Sequence, residues 1–146
     1  VRDIHSGLSV AVAIAAATLD ADNTPPTIDL QGYNAAEIVL AIGAGGITFS
    51  GTNKVEFKLT HSDDDSSYTA VDIDDMLGLD SVGSGGIVKS LNSAHASAAA
   101  YRFGYKGGKR YLKLLADFSG THGSGTPIAG LVLLGHGNVQ PEAAQA

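Results

Sequence analysis

Two acidic runs hold the residues whose types and spacing come closest to a chemical site. His61-Ser62-Asp63-Asp64-Asp65 and Asp72-Ile73-Asp74-Asp75 gather carboxylate oxygens over a few positions. Oxygen clusters of this kind ligate Ca²⁺. Neither run follows the calcium-loop spacing, which needs a Gly at the sixth place and a Glu at the twelfth. Ser and Asp are also the residues whose side chains bond nearby backbone N–H groups in turns, and both runs are read that way. Histidines stand at positions 5, 61, 95, 122 and 136. No two of them have helical metal-ligand spacing, and no H-E-x-x-H occurs. His122 and His136 flank the last apolar stretch and could meet, with Asp117 near them; on turns, such a cluster is expected to be solvated.

Nucleophiles and phosphate loops fare no better. The chain has no cysteine, hence no thiolate nucleophile, thiolate metal site or disulfide framework. No serine sits in G-x-S-x-G. Gly43-Ala44-Gly45-Gly46 and Gly83-Ser84-Gly85-Gly86 lack the G-x-G-x-x-G spacing. In Gly104 to Arg110 an Arg stands where a phosphate loop needs Ser or Thr to hold magnesium. The expectation is a protein that is not an enzyme, with no catalytic residue, no metal and no cofactor. The net charge of −6 argues against a nucleic-acid partner, which calls for a basic stripe. Lys106, Lys109, Arg110 and Lys113 cluster, but as a solvated strand face beside a turn. No run reaches the roughly 18 apolar residues of a membrane-spanning helix, so no membrane partner is expected.

The elements that would carry these residues are strands. Val55, Phe57 and Leu59 alternate with Lys54, Glu56, Lys58 and Thr60, a period of two that puts one set on a core and the other in water. His61 to Ser67 ends that strand, and Tyr68, Thr69 and Val71 resume it as a hairpin partner. Leu8, Val10, Val12 and Ile14 read as one apolar face of a first extended segment. Paired prolines at 25 and 26 mark a loop. Glu37 to Ile42, EIVLAI, reads as a strand covered on both sides. Asp72 to Leu79 reads as a short helical turn. Tyr101, Phe103 and Tyr105 form another strand, and Gly107-Gly108 suggests a hairpin into Tyr111 to Phe118. Thr126 to His136 closes the domain. About eight short strands with turn signals between them predict an all-β, single-domain β-sandwich or jelly roll. Its expected layout is an extended arm over 1–7, a sandwich over 8–138 and a loose or partner-bound tail over 139–146. Val55, Phe57, Leu59, Leu112, Leu114, Val132 and Leu134 are its predicted core.

Two resemblances follow. HSDDDSSYTAV and KRYLKLLADF followed by IAGLVLLG are similar to strands of discoidin-like, galactose-binding jelly rolls. Asp65 stands where those carry Gly. This likeness implies a carbohydrate-binding adhesion module of a head fibre or tail as the alternative function. A second resemblance covers nearly the whole chain. It rests on Arg2, Asp3 and His5, Ile28 to Tyr33, Phe57 to Asp64, Tyr101 to Leu112 and the closing strand through Gly135-His136. In these the chain resembles small head-associated structural proteins of tailed bacteriophages and gene-transfer particles. That resemblance implies a virion structural protein on the capsid surface, a capsid decoration (cement) protein or a head-fibre base. Its implied partners are the major capsid protein and further copies of itself, with a trimer expected. Val1, Arg2, Asp3, Ile4, His5, Leu8 and Val10 are the expected partner contacts, because a lone extended segment cannot satisfy its own backbone groups.

Overall fold

A computed structural model describes residues 2–146; Val1 lies outside the described residues. The described residues form ten strands and two short 3₁₀ turns, His5–Gly7 and Ile73–Asp75. The strands are β1 (Leu8–Leu19), β2 (Ile28–Asp29), β3 (Ala35–Ile42), β4 (Lys54–Ser62), β5 (Thr69–Ala70), β6 (Met76–Leu77), β7 (Ile87–Leu91), β8 (Ala99–Tyr105), β9 (Tyr111–Ser119) and β10 (Thr126–Gly135). All pairings are antiparallel. The first sheet runs β1-β10-β3-β8-β6 and the second β2-β9-β4-β5, with β7 also on β4. The all-β sandwich expected from the sequence is what forms.

Alternation decides the core. In β4, Val55, Phe57 and Leu59 are fully buried, and Leu112, Leu114 and Ala116 of β9 meet them on the same side of the second sheet. Ile38 and Leu40 of β3 and Val132 and Leu134 of β10 face them from the first sheet. All seven predicted core residues are buried. Each side chain of this kind contributes about 1.5–3 kcal/mol on leaving water.

Three local readings change. Tyr105 and Tyr111 are not joined by a hairpin: β8 pairs with β3 and β6, whereas β9 pairs with β4 and β2. The 106–110 segment therefore crosses between sheets, because Phe103 and Tyr105 bury on one layer and Leu112 and Leu114 on the other. The Asp72–Leu79 stretch gives a 3₁₀ turn capped by Asp72 and Asp75, then joins the first sheet as β6. In β1 the predicted apolar face does not exist as one face. Ala13 and Ile14 are buried, while Val10 and Val12 are 40% and 52% exposed. Register shifts between Val12 and Ile14 and between Ile14 and Ala17 reverse which side the chain presents, as a bulge must when it adds one residue to a period of two.

Candidate functional site

The acidic runs are spent on their own loops. Asp64 accepts hydrogen bonds from the backbone N–H groups of Ser66 and Ser67 and from the Ser62 hydroxyl. The Ser67 and Ser66 amides, with that hydroxyl, pull its carboxyl down to about 2. Asp65 takes the hydroxyls of Tyr68 and Thr27, and Asp63 pairs with Lys109 at 2.7 Å. Asp72 and Asp75 close the capping box of the 3₁₀ turn. Among the described residues no three His, Asp or Glu side chains converge as a metal site would require.

The histidines are dispersed. His122 and His136 lie at opposite ends of β10, about 30 Å apart along a strand of this length, so they do not meet. His122 is buried between Phe118 and Phe49, and its Nε2 bonds the Ser119 carbonyl. Asp117 pairs instead with Lys58 on the neighbouring strand. His61 is buried where the two sheets meet; its Nδ1 lies 3.0 Å from the Tyr105 hydroxyl and its Nε2 4.0 Å from Asp75. Burial holds its imidazole below the ordinary histidine range. The basic cluster is also engaged: Arg110 grips Asp29 with two 2.8 Å bonds, and Lys113 stands over the Tyr68 ring. A cleft of about 1100 Å³ opens beside it, among Tyr33, Lys106, Gly107 and His136.

What distinguishes the molecule is the outer face of the first sheet. Pairing aligns Val10 with Leu133, and Val12 with Leu131 and then Val39. The next row joins Ala129, Ala41 and Ala100. Pro127, with Ala16 and Ala17, continues this surface at one end. Glu37 and Arg102, bonded at 3.1 Å, are its ionic groups on these four strands. Val12, Val10 and Leu131 are exposed large apolar side chains. Antiparallel sheets with one wet face alternate apolar and polar residues, and continuous apolar runs belong to strands covered on both sides. The EIVLAI run is such a pattern, yet Val39 is half-buried and Ala41 exposed. Among the described residues, none supplies the second cover expected from the sequence. Val39, Ala129, Leu131 and Leu133 were not singled out from the sequence, although apolar residues at both parities of β3 and β10 signal them.

The arm and tail are tied to one another. Asp3 Oδ1 accepts from the Ser6 N–H, and the Ser6 carbonyl accepts from the Glu142 N–H at 3.0 Å. Ile4 stays 69% exposed. Arg2, Asp3, Ile4 and His5 lie at the surface beside the start of β1, where Leu8 is half-buried. The tail is not loose: the Tyr33 hydroxyl donates to Glu142, and the Gln145 amide reaches Val10.

No protein-family model matches the sequence, and no curated protein matches it. Among solved structures, the crystal structure of the SPBc2 prophage-derived protein YomS aligns over 87% of this chain and 91% of that chain, at 10% identity and a TM-score of 0.49.

Proposed function

We propose that this protein is a virion structural component, a capsid decoration (cement) protein that docks on the phage head through the outer face of its first sheet. The observation that carries the reading is the apolar surface from Val10 and Val12 across Leu131 and Val39 to Ala41 and Ala100. Contiguous apolar surface on a folded domain marks an interaction site. The sequence resemblance to head-associated proteins supplies the class of partner, the major capsid protein. A rigid all-β body with a charged opposite face suits a module that adheres on one side and meets water on the other. Copies gathered around a local symmetry axis, as a trimer, would present the same face to the shell. Exposed Val10 of β1 and exposed Ile4 of the 1–7 arm are the proposed contacts at this end.

The test is add-back to undecorated heads, read by sedimentation and by a density map of the particle. Val12→Glu together with Leu131→Glu should fold normally and bind heads at least tenfold more weakly, since a charge in a dry interface is unpaired. Removing residues 1–7 should also weaken decoration. Wild-type binding by the double variant would end the docking assignment. Reproducible hits on a glycan array, with no density on heads, would replace it with the carbohydrate-binding reading.

A further inference from the structure

Sheet edges invite strand addition, and folded proteins blunt them with short strands, charges, prolines or bulges. The other edge strands follow that rule. β2, β5 and β6 are two residues long, and β7 carries Lys89. β1 does not: it is a twelve-residue edge strand, LSVAVAIAAATL, with neither charge nor proline. Its two bulges lie beyond Val12, so they disrupt only the Ile14–Leu19 half. The regular half, Leu8 to Val12, needs another guard.

Gln145 occupies that place. The Val10 N–H donates to Gln145 Oε1 at 2.8 Å, and Gln145 Nε2 donates to the Val10 carbonyl at 2.9 Å. A primary amide offers the same donor and acceptor as a peptide group, and here it satisfies both Val10 groups that point away from β10. The segment is held by the Asn138 N–H on the Gly32 carbonyl, the Glu142 N–H on the Ser6 carbonyl and the Tyr33–Glu142 bond. The molecule uses the same chemistry on β9. Asn23 donates to the Leu114 carbonyl and accepts from the Ala116 N–H, and Asp22 accepts from the Phe118 N–H, beyond the point where β2 ends.

We propose that the 139–146 segment is an edge guard, and that its removal lets β1 pair with β1 of a second copy of this chain. Antiparallel pairing of one strand with itself has a two-fold axis. We place the axis at Val10, whose two outward backbone groups are the ones Gln145 holds, whereas the Leu8 N–H is taken by the His5 carbonyl; Val10 then faces Val10 of the other copy, and Leu8 faces its Val12. Gln145 and the second copy use the same two hydrogen-bonding groups and exclude each other. The inference rests on the edge geometry and not on capsid binding.

The chain has no cysteine, so single cysteines report the register. A hydrogen-bonded antiparallel pair sets the two Cα atoms about 5.5 Å apart, within disulfide reach. Val10→Cys in a chain ending at Asn138, or combined with Gln145→Ala, should oxidise to a covalent dimer. Its yield should exceed that of Val10→Cys in the full chain by about tenfold, the factor expected from two ordinary hydrogen bonds. Val12→Cys in the shortened chain should stay monomeric, because its counterpart lies about 13 Å away along the strand. Circular dichroism checks that each variant is folded. Equal cross-linking with and without the segment would show that it guards nothing. A folded, shortened Val10→Cys chain that fails to cross-link, or a Val12→Cys chain that cross-links equally, would overturn the two-fold pairing.

Discussion

The two sheets share one core and differ on their outer faces. On the second sheet, Lys54, Glu56, Lys58 and Thr60 of β4 lie beside Ser119, Asp117, Leu115 and Lys113 of β9. Lys58 pairs with Asp117, and Lys54 with Glu56 at 3.4 Å; Asp117 raises the ammonium pKa of Lys58. On the first sheet, the matching positions are Val, Leu, Ala and Pro, with the Glu37–Arg102 pair among them. The same period of two built both layers. One has a polar outer set that ends the structure at water, and the other has an outer set that calls for a further layer. A binding surface in this protein is thus legible as a failure of alternation and not as a cluster of reactive groups.

The comparison breaks most severely in the core the faces share. Phe57→Ala, at a fully buried position, should cost about 3–5 kcal/mol in urea unfolding, whichever outer face is altered beside it. A much smaller loss would mean the layers are not held by this packing. The contact between layers at His61 should show in the pH dependence. Below about 6.5 the unfolded imidazole takes up a proton that buried His61 resists. The unfolded state then binds more protons, and stability falls from there down to the depressed native pKa. His61→Gln should flatten that part of the profile between pH 7.5 and 5.5. An unchanged slope would remove His61 as its source.

Smaller effects separate the outer faces. Lys58→Ala should cost about 0–1 kcal/mol, the range of partly exposed ion pairs, and a double-mutant cycle with Asp117→Ala measures the coupling. Leu131→Lys should leave stability within about 0.5 kcal/mol while lowering the fluorescence of an apolar surface dye. Lys58→Leu should raise that signal. If the two replacements moved the dye alike, the difference between the faces would be one of composition only.

Side-chain parity is a local property, so it was readable. It named the seven core residues, the β4 and β9 strands, and the turn character of the Ser-Asp runs, because each depends on neighbours a few positions away. The wet or dry state of a face is not local. EIVLAI announced two covers, but only the assembled sheet reveals which side of β3 lacks one. The break in β1 arises from bulges against β10, a strand more than a hundred residues later, and nothing within LSVAVAIAAATL marks Val12 as outward and Ala13 as inward. Gly107-Gly108 read as a hairpin because the turn chemistry is the same whether the chain returns to its own sheet or crosses to the other. Gln145 carried no signal at all; its role exists only because the fold sets the tail beside the first strand. The sequence by itself determined the alternation within each regular strand, and with it the buried set Val55, Phe57 and Leu59. Tertiary structure decided which strands meet, and so which edge and which face remain to be covered, because pairing joins segments whose local patterns are interchangeable.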